Sequence, residues 1–317
     1  MGAAVDILAI TGPIYGAIWL GYWATRRGLF APSDMQVFGK FTLNLALPAL
    51  LFNALSQRSV SEILNPSYLL AYALGALLVI GGGLFWARQV QGHSLSFGSM
   101  MAMGMSCPNS GFVGYPIMLL SFGPVAGVAL ALNMVVENLL MIPLLLAVAD
   151  SQGGPPGQWK RVLWQTGKNL AQNPMIWGIV GGFLFSLSGW AMPAPLGRTV
   201  NLFAQASAAL SLFVIGGSLV GLQVSGLQTT VAQIVMGKLF ISPLVMWGVV
   251  TWVVPVEDPA LRSAVLLTGA LPMLGIFTIL SQRHGHGAIS AAASLVTTVL
   301  SFFTLSAWLW VLQHGLL

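Results

Sequence analysis

The sequence predicts an all-α integral membrane protein of ten transmembrane helices, built as two inverted five-helix repeats in which helices four and nine are broken. Three observations predict this class. Only 6% of the 317 residues are charged, 56% are hydrophobic and the mean hydropathy is +0.86, whereas an ordinary soluble domain carries about 25% charged residues. Apolar runs of about 20 residues, the length that crosses a hydrocarbon core, recur along the whole chain, separated by short polar joints. The runs are continuously apolar instead of alternating every second residue, so helices satisfy the backbone and barrel strands do not.

Charge and Gly/Pro punctuation place the elements in order. Span one (7–25) follows Asp6, where a secretory signal would be basic, and continues to Arg26 and Arg27, so it reads as a retained helix. Span two (36–56) begins after Pro32 and carries Asn44 and Asn53. Span three (66–87) ends at Trp86 and Arg88, and span four (96–120) is interrupted near its middle. Span five (124–148) carries Glu137. The most polar joint, Asp150 to Lys168, contains the Gly153–Gly157 run Gly-Gly-Pro-Pro-Gly. Span six (173–190) ends at Trp190; span seven (200–222) follows Pro195 and holds Ser207 and Ser211. Span eight (230–254) encloses Lys238, span nine (260–281) is broken at Pro272, and span ten (288–313) ends near Trp310. The domains are then a first repeat (1–149), a cytoplasmic linker (150–169) and a second repeat (170–317). Tryptophans at span ends, Trp252 among them, suit interfacial anchoring.

With the N-terminus outside, Arg26, Arg27, Lys40, Arg88, Lys160, Arg161, Lys168 and Arg283 fall on the cytoplasmic side and Arg58, Arg198 and Arg262 outside. That asymmetry places both termini outside. Five spans on each side of the linker is an odd number, so two tandem copies must lie upside down relative to each other, the inverted-repeat plan of many secondary carriers.

Span four reads Ser106-Cys107-Pro108-Asn109-Ser110-Gly111-Phe112-Val113-Gly114-Tyr115-Pro116, and span nine Thr268-Gly269-Ala270-Leu271-Pro272-Met273-Leu274-Gly275. Proline removes a backbone donor and glycine tolerates non-helical angles, so both helices are expected to open near mid-membrane. Backbone freed at that depth must be buried in protein or line a wet cavity. A simple proline kink accounts for either break alone; breaks at the fourth position of both halves favour a pair. Half-helix N-termini facing a common space would hold an anion, a carboxylate for example, without a nearby Lys or Arg.

Glu137 and Lys238 are costly inside a membrane, so a mutual ion pair is one expectation and proton coupling or charge balance at the site is the other. Asn44, Asn53, Ser207 and Ser211 line the substrate path or serve interhelical hydrogen bonding. His284 and His286 have ligand-like spacing but no neighbouring Cys, Asp or Glu in sequence, so no metal or cofactor is expected. Cys107 lacks a histidine base within the membrane, which argues against a thiol enzyme. The scattered basic residues form no stripe for nucleic acid.

The Asn-Ser-Gly-Phe-x-Gly-x-Pro core at residues 109–116, with Gly28-Leu29-Phe30, Leu43-Asn44-Leu45-Ala46-Leu47-Pro48 and Glu137-Asn138, resembles the auxin efflux carrier family, especially its bacterial malonate and malate carriers. The resemblance covers the whole chain. It implies a sodium/proton antiporter-like fold, shared with bile-acid symporters, in which broken helices four and nine cross, in a multi-pass bacterial inner-membrane protein. Spans one, two, six and seven would form a scaffold, and spans three, four, five, eight, nine and ten a moving transport domain. It implies alternating-access transport of a small carboxylate, malonate or a related dicarboxylate, bound beside the crossing at Pro108, Asn109, Ser110 and Pro272; Gly111, Gly269 and Asn44 are further candidates for substrate contact. Lys238 would stand near the crossing where relatives hold sodium, which favours proton-linked or uniport-like movement. Carriage of monocarboxylates or indole acids, or sodium-coupled anion symport, is the alternative. The short joint lacks the long loop of plant auxin carriers. A homodimer is compatible with the apolar outer faces.

Overall fold

The computed structural model describes residues 2–58, 64–150, 158–221, 229–275, 277–282 and 284–314. Among these the chain is all helix, with one isolated antiparallel bridge. The helices are α1 (Gly2–Arg26), α2 (Asp34–Ser56), α3 (Pro66–Val90), α4 (Leu95–Ser106), α5 (Ser110–Phe122), α6 (Val125–Asp150), α7 (Gln158–Ala171), α8 (Pro174–Ser188), α9 (Ala194–Ser218), α10 (Thr229–Val253), α11 (Pro259–Ala270), α12 (Phe277–Gln282) and α13 (Gly287–Gln313). Among the described residues, α2, α3, α6, α9, α10 and α13 are long and apolar enough to cross a membrane, and α5 and α8 are shorter apolar helices. The expected span four is the pair α4 and α5; the expected span nine is α11 and α12.

Sequence reading placed only a polar joint at 150–169, yet α7 occupies most of it. Its polar and apolar residues recur with a helical period instead of forming one contiguous apolar run, so a search for long apolar stretches passes over it. The Gly-Pro run at 153–157 and Arg283 of the charge tally lie outside the described residues.

Contacts divide the chain into two compact units: Met1–Asn65, Ser110–Leu132 and Ala171–Leu222 in one, Pro66–Asn109, Asn133–Leu170 and Gln223–Leu317 in the other. In the first, α1 packs on α9 and α2 on both α8 and α9. Glycine permits these approaches: a Cβ at Gly216 would collide with the Ile18 carbonyl, and one at Gly178 would lie 2.5 Å from the Pro48 carbonyl. Between apolar helices, close backbone approach supplies the dispersion contact that a hydrophobic drive supplies in water. In the second unit, α3 packs on α4 and α10, α4 on α6, and α11 on α10 and α13.

Four helices carry a π-turn followed, two residues after it ends, by proline. They are Thr42–Ala46 before Pro48, Ser110–Gly114 before Pro116, Glu137–Met141 before Pro143, and Gly237–Ile241 before Pro243. The proline ring would strike the carbonyl four residues earlier, and widening the preceding turn relieves that clash. Accordingly Leu47 N–H donates to Thr42, Ile142 N–H to Glu137 and Ser242 N–H to Gly237, each five residues back.

Candidate functional site

In the second unit both expected breaks open, and the opened segments meet. Helix α4 ends at Ser106 and α11 at Ala270, and Cys107 and Leu271 turn to extended backbone. Pro108 and Met273 then form the antiparallel bridge. Asn109 N–H donates to the Pro272 carbonyl at 2.8 Å, and Leu274 N–H donates to the Cys107 carbonyl at 2.9 Å. Each break thus satisfies backbone groups of the other, as a low-dielectric interior requires. The bridged residues follow the C-termini of α4 and α11 and precede the N-termini of α5 and α12.

Asn109 interrupts an otherwise buried stretch. From Gly98 to Met118 only Asn109 and Phe112 are half-buried, and all others are buried. Across the bridge Leu274 is half-buried and Gly275 exposed. A Cβ on Gly275 would stand 4.0 Å from Asn109 Nδ2. The crossing therefore presents one amide side chain beside an accessible glycine.

Beside the crossing lies a buried polar network drawn from five expected spans. Tyr68 OH donates to Asn133 Oδ1 at 2.8 Å, and Asn133 Nδ2 donates to Thr268 Oγ1 at 3.0 Å. One turn along, Tyr72 OH donates to Glu137 Oε1 at 3.1 Å. Both tyrosine contacts span 65 residues, so α3 and α6 run side by side in the same direction. Lys238 Nζ donates to the Ser106 carbonyl at 3.1 Å. Its charge meets the last carbonyl of α4, where the helix dipole is negative. Cys107, Glu137 and Lys238 are all buried.

Of the expected site residues, the structure brings Pro108, Asn109 and Pro272 together at the crossing, with Glu137 and Lys238 in the adjoining network. Gly269 faces helix α10, where a Cβ would come within 2.9 Å of the Pro243 backbone, so close packing accounts for this glycine. Ser110, Gly111 and Asn44 belong to the first unit. Ser110 is buried there, a Cβ on Gly111 would lie 3.2 Å from Leu47, and exposed Asn44 donates to the Lys40 carbonyl at 2.7 Å. Also in that unit, Asn53 accepts from Gln57, Ser207 donates to the Ala204 carbonyl, and the buried Ser211 hydroxyl has no partner among the described residues. Sequence reading missed Tyr68 and Tyr72. Their four-residue spacing matches that of Asn133 and Glu137, and this shared step is the signal that pairs them.

His284 and His286 take separate partners. His284 Nε2 lies 3.8 Å from Asp150 Oδ1, while the His286 ring meets Phe97 edge-on, with His93 against the same phenylalanine. Among the described residues no group of three ligating side chains could hold a metal. Burial, helped by the nearby His284, holds His286 below its ordinary pKa of 6.5. A depressed folded-state value means that the unfolded chain binds the proton more readily, so this contribution is present above pH 6.5 and is lost on acidification. His286→Phe should therefore give a melting temperature that falls less than the wild type's between pH 7 and pH 5. Parallel profiles for the two proteins would remove His286 from the effect.

A family model described as membrane transport protein matches residues 9–309. The chain is 27% identical over 318 residues to a Rhizobium meliloti (strain 1021) protein named "Putative malonate transporter", covering 98% of each. It is 27% identical over 305 residues to "Uncharacterized transporter YfdV" of Escherichia coli (strain K12), covering 94% of this chain and 95% of that one. It is also 26% identical over 144 residues to auxin efflux carrier component 3a of Oryza sativa subsp. japonica, covering 44% of this chain and 23% of the plant protein.

Proposed function

Because the chain belongs to the membrane transport protein family, which includes auxin efflux carriers, we propose that it is a secondary carrier of small organic carboxylates, malonate or a related dicarboxylate first among them. The observation that carries this reading is the mutual pairing of two opened helices beside a half-buried asparagine. Bound carboxylate would accept hydrogen bonds from the Asn109 amide, with Lys238 supplying positive charge nearby and Glu137 balancing it. Similarity along nearly its whole length to a protein named for malonate supports the substrate class.

Transport proceeds by alternating access in ten transmembrane helices arranged as inverted five-helix halves, with broken helices four and nine crossed. The grouping of α1, α2, α8 and α9 in one compact unit and of α3, α4 and α10 to α13 in the other supports a scaffold and a transport domain. Span four contributes α4 to one unit and α5 to the other, and α6 is likewise shared. The protein works in a bacterial inner membrane with both termini outside the cytoplasm, and the Lys238 ammonium does the work of a metal cation, so movement is proton-linked or uniport-like.

Purified protein in proteoliposomes tests this reading with radiolabelled malonate, malate, a monocarboxylate and an indole acid, under proton and sodium gradients. Malonate uptake that ignores sodium is the expected result; absence of flux for every carboxylate would defeat the proposal. Glu137→Gln separates coupling from structure. It keeps an acceptor for Tyr72 but removes the titrating group, so uptake should persist while its response to an imposed proton gradient is lost. An undiminished response would exclude Glu137 from coupling.

A further inference from the structure

The C-terminal end of α1 carries a groove that the transport reading does not use. It has a volume of about 410 Å³ and is lined by Trp19, Tyr22, Trp23, Arg26 and Arg27. We infer that this groove binds the phosphodiester headgroup of an anionic phospholipid, with the two guanidiniums on the phosphate and an acyl chain lying along the tryptophans.

The groove is built before any ligand arrives. Arg26 Nη1 donates to Tyr22 OH at 2.7 Å, and its guanidinium carbon lies 5.8 Å from the centre of that ring. One arginine is thereby held by two contacts, and less side-chain freedom remains to be lost on binding. Trp19 and Trp23, one turn apart, stack with centroids 6.2 Å apart and planes inclined by 20°. Both are exposed, Trp19 to 62%. The same helix therefore presents an apolar wall and, a turn further on, two positive forks.

The arginines are not needed to close the helix. Arg27 N–H takes the Trp23 carbonyl, Gly28 N–H that of Thr25 and Leu29 N–H that of Ala24. Gly28 adopts φ +77, which turns the chain away. Both guanidiniums are exposed and available to an external anion. Among the described residues no acidic side chain lines the groove, and planar guanidinium matches phosphate oxygens two at a time. Free phosphate would satisfy the arginines but leave the stacked indoles uncovered. A glycerophospholipid meets both, because its phosphate lies at the headgroup level where Trp and Tyr settle.

The test uses the full-length, delipidated protein in detergent, titrated with phosphatidylglycerol, phosphatidylcholine or inorganic phosphate and read by native mass spectrometry. Wild type should bind its first phosphatidylglycerol about tenfold more tightly than phosphatidylcholine. Arg26→Gln with Arg27→Gln should erase that preference, whereas Arg88→Gln at another exposed site should retain it. Trp19→Ala should weaken both lipids while keeping the preference for the anionic one. If the glutamine pair fails to fold, Arg26→Lys with Arg27→Lys keeps the charge but loses the fork, and the preference should shrink several-fold. Retention of full preference by either double variant would overturn the inference. So would displacement of the lipid by millimolar inorganic phosphate, which would mark a plain anion site, or burial of the groove in a dimer that excludes lipid.

Discussion

Lys238→Met is expected to lower carboxylate uptake by about a hundredfold, from the loss of about 3 kcal/mol of charged hydrogen bonding. Methionine keeps much of the lysine's length and fills the fully buried site, so the comparison isolates the charge. The Ser106 carbonyl, which ends α4 at the crossing, would lose its donor. An unsatisfied buried carbonyl costs about 1–3 kcal/mol, so a lower melting temperature should accompany the lost flux. Arginine should not rescue it: the ammonium sits in a space with no solvent exposure, and a branched guanidinium needs more room and more acceptors. Uptake should be measured on variant protein that elutes as a single folded species. Wild-type rates for Lys238→Met would reduce this lysine to packing and leave the site without its cation.

Asn109→Ala should raise the dissociation constant for malonate about ten- to a hundredfold, the span of one or two hydrogen bonds to a charged carboxylate. Stability should change little, for a structural reason. Asn109 joins the crossing through its backbone N–H, which donates to the Pro272 carbonyl, and alanine retains that group. The side chain is half-buried, so its removal leaves no sealed cavity. Calorimetry on purified protein reads affinity, and a thermal melt in the same detergent reads folding. Unchanged affinity would move the carboxylate away from the crossing; a collapse of the melt would show that the amide holds the break together.

The two substitutions divide the site's work. Lys238 acts inside the protein, on a carbonyl, whereas Asn109 stands at the accessible edge beside Gly275. A variant that loses flux but keeps affinity therefore points to the buried network of Tyr72, Glu137 and Lys238. One that loses affinity first points to the crossing.

Local chemistry was legible without coordinates. Pro108 and Pro272 open their helices because proline lacks a donor and crowds the preceding turn, and neither fact needs a neighbour. The apolar runs, and the cost of burying Glu137 and Lys238 among them, likewise follow from contiguous residues. Tertiary structure alone decided that the two breaks satisfy each other, that Tyr72 meets Glu137, that Lys238 answers Ser106, and that Gly269 packs against Pro243. The physical reason lies in the solvent. A helix in water shows its inner face by a stripe of apolar residues, but a helix in lipid is apolar on every side. Which face meets which partner is then set by close packing and a few polar contacts between distant residues, and only their arrangement in space reveals it.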